Sequence, residues 1–253
     1  MLKTRVIPVM LWKDVGLVKG RSFDHSRRVG SVLPAVKVFN SRDVDELVLV
    51  DVTATLNGYS PRLVEIRQFA RECNVPLSVG GGIKAEDEIE GVLRAGADKV
   101  VLNSACFSHP KLLTRASRNF GAQCVVASID YRIIDGTAVC FSHAGQVRTN
   151  YTLLDWARSV EELGAGEILL TDCTRDGTMT GYDLETIKEV ASSVGVPVIA
   201  SGGAGTLEHF VEAVKVASAD AVAAGSVFHF TEITPREIKE HLAKAGVPVR
   251  IGV

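Results

Sequence analysis

Short, continuously apolar runs recur along this chain, and each is followed by a stretch with helical period. They occupy residues 5–11, 46–51, 76–79, 99–103, 124–130 and 167–172, with two more inside 196–226. A run without polar alternation is what a strand shows when both its faces are covered, as in a parallel sheet. The segments between predict helices near 32–38, from Ser60-Pro61 to about Cys73, near 86–93, from 108–110 to Gly121, over 152–163, and from the Asp183 cap onward. Ser60-Pro61 reads as an N-cap with proline at the first helical position. Thr234-Pro235-x-Glu237 reads as a capping box, and Gly246 closes the last helix. Two segments break the rhythm. Residues 18–31 are polar, basic and glycine-bearing, and read as a long loop; residues 131–150 alternate around Asp135-Gly136, the signature of a type I′ hairpin, and read as an inserted β-ribbon.

The pattern is written twice. VPLSVGGGI begins at Val75 and VPVIASGGAG at Val196, an offset of 196 − 75 = 121; Ala97-Asp98 maps onto Ala219-Asp220 at 219 − 97 = 122. LVDVT at 49–53 answers LTDCT at 170–174. Eight strands, eight helices and a half-length repeat predict one α/β domain over 1–253, a (β/α)8 TIM barrel with two-fold half-barrel symmetry. A doubly wound open sheet is the structural alternative, and it accounts less well for the repeat.

Composition narrows the function. With 253 residues and a net charge of −2, the chain offers no electrostatic case for nucleic acid or an anionic membrane. No apolar run reaches the roughly 18 residues of a spanning helix, and MLKTRVIPVM lacks the apolar core of a signal peptide. Five cysteines without a C-x-x-C pair read as free thiols, so the expected compartment is the cytoplasm.

Candidate chemistry gathers at the strand ends. Gly80-Gly81-Gly82 with Asn103-Ser104, and Ser201-Gly202-Gly203 with Gly225-Ser226, are glycine-rich βα turns where backbone N–H groups can meet an anion. Two such mouths at matching offsets predict a substrate with a phosphate at each end; the plainer reading is turn chemistry alone. Asp130 ends the fifth strand and is expected to point into the mouth as a general acid or base. Asp51, Asp172 and Asp176 lie nearby, where capping a loop is at least as good a reading. His25, His109, His143, His209, His229 and His241 show no metal spacing and are expected on the surface or on helices, so no metal or cofactor is predicted. At the opposite rim, Arg5, Glu46, Lys99 and Glu167 precede four strands. Parity aims Lys99 and Glu167 at the barrel axis. From spacing alone, four solvated charges are favoured over a closed ring.

IP-x4-KD at 7–14, VKG at 18–20, DELV at 45–48, VGGGI at 79–83, RAGADKV at 94–100, GAGEILLT at 164–171, RDGT-x2-GYDLE at 175–185, VIASGGAG at 198–205, EHF at 208–210 and SVFHF at 226–230 resemble the HisF family, the cyclase subunit of imidazole glycerol phosphate synthase. The resemblance covers essentially the whole chain. It implies a barrel docked through its N-terminal face, by Asp98, on a HisH-like glutaminase. Ammonia would enter through a gate of Arg5, Glu46, Lys99 and Glu167 and meet a small bis-phosphorylated substrate. It implies phosphate contacts at Gly82, Asn103 and Ser104 on one side, and at Gly177, Gly203, Gly225 and Ser226 on the other. Lys19 matches the lysine of the family's first loop, and Asp130 one of its two cyclising aspartates. The place of the other aspartate holds Leu11, which cannot move a proton. Ser31 and Thr174 also stand where the family usually has acids, and Arg21 and Arg28 are additions. Three readings follow: a cyclase with water or Asp176 in the missing role; a HisF-like paralogue delivering ammonia elsewhere, as in acetamidino-sugar synthesis for surface polysaccharide; or a non-catalytic activator of the glutaminase. The paralogue fits best, because the lost group is chemical while the kept groups are conductive.

Overall fold

The computed structural model describes residues 3–14 and 16–252, apart from the side chains of His25 and Ser26, so the start of the segment weighed as a leader and the His25 imidazole lie outside the described residues. The strands are β1 Arg5–Lys13, β2 Gly16–Arg21, β3 Asp24–Gly30, β4 Leu47–Asp51, β5 Leu77–Gly80, β6 Lys99–Leu102, β7 Val125–Ile134, β8 Thr137–Ser142, β9 Val147–Thr152, β10 Glu167–Asp172, β11 Val198–Ser201 and β12 Ala221–Ala224. The helices are α1 Val32–Asn40, α2 Ala54–Asn57, α3 Leu63–Glu72, α4 Glu86–Arg94, α5 Ser104–Ser108, α6 Lys111–Phe120, α7 Leu153–Glu162, α8 Leu184–Ser193, α9 Leu207–Lys215, α10 Val227–Phe230 and α11 Pro235–Lys244.

Parallel pairing runs β1–β4–β5–β6–β7–β10–β11–β12 and back to β1, where Arg5 to Pro8 lie beside Ala221 to Ala224. The sheet therefore closes, which an open doubly wound sheet does not, and the chain is a (β/α)8 barrel. Its core has two shells. Ile7, Val48, Val101, Val126, Leu169, Ile199, Ala221 and Ala223 fill the barrel, while a larger cluster lies between the strands and the surrounding helices. Both strand faces are thereby covered, which is why the runs lack polar alternation. The half-length repeat is visible in backbone detail. Gly81 (φ 103°) and Gly202 (φ 91°) hold positive φ, and a Cβ on either would run into the main chain of Asp51 or of Asp172. Those four positions match at 202 − 81 = 121 and 172 − 51 = 121.

The ribbon turn is formed by Asp135 (φ 48°) and Gly136 (φ 77°), with Ile134 opposite Thr137, as the type I′ signature requires. Two expectations fail. Residues 18–31 are not a loop but an antiparallel hairpin, β2–β3, built on the overhang of β1: Leu11 pairs with Val18 and Trp12 with Leu17. The basic residues masked a strand whose apolar partner comes from an element already counted. Ser60-Pro61 does not open α3 either. The Ser60 hydroxyl donates to Glu88 on α4, and Arg62 stands at the N-cap without a side-chain cap bond. Tertiary partners outbid the local cap.

Candidate functional site

Side chains on alternate residues of a strand share a face, so each barrel strand carries a column of residues from floor to mouth. On β1 that column is Arg5, Ile7, Val9, Leu11. Ile7 lies in the inner cluster with Val9 against it, and Val9 and Leu11 line the mouth.

At the floor, Arg5 donates to Glu46 at 2.8 Å and to Glu167 at 3.1 Å. Lys99 Nζ donates to Glu46 at 2.9 Å and to Glu167 at 3.2 Å. Ser78, which no spacing singled out, donates to the second Glu46 oxygen at 2.6 Å. The four charges alternate in sign around the axis and form a closed ring, so the expectation of separately solvated charges is overturned. Glu46 is only 2 % exposed, and each of its oxygens has a partner, as burial of a carboxylate demands. Burial lowers the Arg5 pKa, but Glu167 and Glu46 together carry it above its ordinary value. Asp98 is exposed at the same end, where its carboxylate accepts the N–H of Leu77 at 2.8 Å.

At the other end a cavity of about 380 Å³ opens among the strand termini. Gly82, Asn103, Ser104, Gly177, Gly203, Gly225, Ser226, Asp130 and Lys19 all line it. Asn103 does more than line the cavity: its amide nitrogen donates to Asp130 at 2.8 Å, so the side chain orients the acid, and its Oδ1 is buried without a partner.

Three ionisable groups meet across this cavity. Asp130 is 8 % exposed, and burial, with added repulsion from Asp176, pushes its pKa up to about 7 despite the Asn103 bond. Burial also raises the Asp176 carboxyl, against the pull of Lys19. Lys19, on β2 and 4 % exposed, donates to the Val9 carbonyl at 2.8 Å and lies directly over Gly225, where a Cβ would collide with its Nζ. Burial lowers the Lys19 pKa to about 8, with Asp176 opposing. The β2–β3 hairpin carrying it is strapped across the mouth: Ser22 N–H donates to Asp176 O at 2.7 Å, and Ser22 Oγ to Thr174 O at 2.7 Å. A carboxyl at about 7 and an amine at about 8 can exchange protons with a substrate at working pH.

Leu11 lines the same cavity and places a hydrocarbon on the β1 wall. Asp51 does not substitute for it. Its oxygens are taken by Thr53 N and Oγ1, Ala54 N, Tyr59 and Arg62, which makes it a loop anchor. Asp172, at the symmetric place, likewise accepts from Thr174 and Arg175. Of the three carboxylates left open by the sequence, Asp51 and Asp176 both line the cavity, but Asp51 is consumed by its anchors and Asp176 is the one whose charge acts on both Asp130 and Lys19. The histidines divide as well: His109, exposed at the end of α5 as expected, and the half-buried His143 both line the cavity. Among the described residues no three of His, Cys, Asp and Glu gather as a metal site, and no helix is long and apolar enough to cross a membrane.

The model of the histidine biosynthesis protein family matches residues 5–234. The chain is 43 % identical, over 99 % of its length and the whole of the relative, to the imidazole glycerol phosphate synthase subunit HisF of Chlorobium phaeobacteroides strain BS1. It is 42 % identical to that of Chlorobaculum tepidum and 44 % to that of Clostridium botulinum strain 657, again over 99 % of this chain and the full relative.

Proposed function

This chain belongs to the HisF family, the cyclase subunits of imidazole glycerol phosphate synthase, and on that premise we propose that it is an ammonia-conducting synthase subunit whose acid–base pair has been rebuilt. A HisH-like glutaminase docks at the floor around Asp98 and releases ammonia at the ring of Arg5, Glu46, Lys99 and Glu167. The apolar column above the ring conducts a small neutral molecule and excludes ions, because charge is costly in a dry hydrocarbon bore. Two phosphates of a cytoplasmic substrate rest on the paired glycine turns, one at Gly82, Asn103 and Ser104, the other at Gly177, Gly203, Gly225 and Ser226. Asp130, held near neutrality, transfers the proton, and Asp176 with Lys19 supplies the second titrating group.

One observation carries the reading: on β1 a single face runs from an ion-paired Arg5 to Leu11, so this strand keeps its charge at the floor and brings only hydrocarbon to the mouth. Supplied with ammonium and the bis-phosphorylated imidazole precursor, the purified chain is expected to cyclise at least about 10²-fold more slowly than a family member with both aspartates. Leu11→Asp is expected to raise the rate. Ordinary turnover by the unaltered chain would refute the rebuilt pair.

A second reading is favoured by the same residue. If Leu11 marks a changed acceptor, ammonia leaves for another molecule, as in acetamidino-sugar synthesis. Glutaminase activation by this chain without imidazole product, yet with ammonia consumed by a sugar acceptor, would select it; activation with ammonia simply released would leave an activator alone.

A further inference from the structure

The ribbon that rises beyond the barrel ends at the mouth, and its tip is held in an unusual backbone. His143 (φ 53°), Ala144 (φ 54°) and Gly145 (φ 75°) are consecutively left-handed. Non-glycine residues seldom hold that conformation, and two together persist only where surrounding contacts fix them. Those contacts lead into the site. The N–H of His143 donates to Ser104 Oγ at 2.9 Å, and Ser142 Oγ meets His143 Nδ1 at 2.9 Å. The ring of Phe23, from the β2–β3 hairpin, packs onto Gly145. On the neighbouring α5–α6 connection, His109 Nδ1 meets Ser108 Oγ at 3.0 Å. Both imidazoles, with Lys84, line the cavity on the side of Gly82 and Ser104.

We propose that His109 and His143 are ligand-contacting residues that complete the β5–β6 anion site and make it selective for a phosphomonoester. This rests on the bis-phosphate reading above. The Ser142 hydroxyl, donating to His143 Nδ1, leaves that neutral ring's proton on Nε2, where it can meet a ligand oxygen. The Ser108 hydroxyl donates instead to the Ala105 carbonyl, so His109 donates through Nδ1 and its Nε2 can accept the P–OH of a protonated monoester. Ser104, by accepting the His143 N–H, has its own hydroxyl proton left to donate. The site thus collects directional hydrogen-bonding groups from three separate segments. The opposite lobe, at Gly203 and Gly225, instead has Lys19 as its buried cation. The two phosphates of one substrate are therefore gripped by different chemistry, which fixes its orientation in a pseudo-symmetric mouth. The ribbon acquires a role: it delivers His143, and its tip is braced by Phe23 of the hairpin.

Inorganic phosphate titrated into the purified chain, followed by phosphorus NMR and calorimetry, tests this. The unaltered chain is expected to bind two phosphates. The double variant His109→Asn, His143→Asn is expected to weaken one of them about tenfold or more and leave the other unchanged. Asn tolerates the left-handed backbone at 143, so the ribbon tip keeps its fold. His109→Gln, whose amide reaches toward the Nε2 position, is expected to bind more tightly than His109→Asn, a difference that a merely structural role would not produce. Two phosphates bound equally by the double variant and the unaltered chain would overturn the histidine assignment alone. Fewer than two bound by the unaltered chain would overturn both it and the bis-phosphate reading.

Discussion

Asp130→Asn should stabilise the protein, and more so as the pH rises. In the folded chain burial lifts the carboxyl to about 7 from its ordinary 3.8. Below 3.8 the folded and unfolded states both hold the proton, and the residue costs nothing. Between 3.8 and about 7 only the folded state holds it, so stability falls as pH rises, and above about 7 the loss is complete. At about 1.36 kcal/mol per pH unit the full loss is about 4 kcal/mol, of which about 2–3 kcal/mol accrues between pH 5 and pH 8. Asparagine retains an oxygen to accept the Asn103 amide and has no charge to desolvate. Urea unfolding of both proteins at pH 5 and pH 8 measures the effect. The variant's advantage should grow by about 2–3 kcal/mol between the two, while its cyclase activity is lost. Parallel stability profiles would show that Asp130 ionises normally and that burial does not poise it.

Two further outcomes follow from the ends of the barrel. Lys99→Ala leaves Glu46 and Glu167 with Arg5 as the remaining cation of the ring; it should cost about 3 kcal/mol in urea unfolding and let glutamine hydrolysis outrun product formation, and tight coupling in that variant would count against a gate. Gly81→Ala puts a Cβ into the Asp51 carbonyl at φ 103° and should cost about 2–3 kcal/mol, seen as a lowered Tm; an unchanged Tm would mean the turn relaxes freely.

Much of this molecule was legible in one dimension. Unbroken apolar runs announce strands covered on both faces, and their even spacing with helices between them leaves little but a parallel barrel. The half-length echo placed Gly81 opposite Gly202 and Asp51 opposite Asp172, since backbone geometry that only glycine tolerates must be repeated when the fold is. Asp130 and the glycine turns were locatable because barrel strands point their C-terminal ends at one mouth. What spacing could not decide was which long-range partners compete. Four charges at strand starts look solvated until closure of β12 on β1 brings each within 3.2 Å of its two opposite-signed neighbours. The basic segment after Leu11 looks like a loop until the overhang of β1 offers it a strand to pair with. Asp51 and Asp176 look alike until Arg62 and Tyr59 consume one and Lys19 faces the other. Local pattern fixes which elements form, because helix and strand bonds are made near in sequence. Which charges are paired and which are left to act was decided by distance through space, and only the closed barrel supplied that.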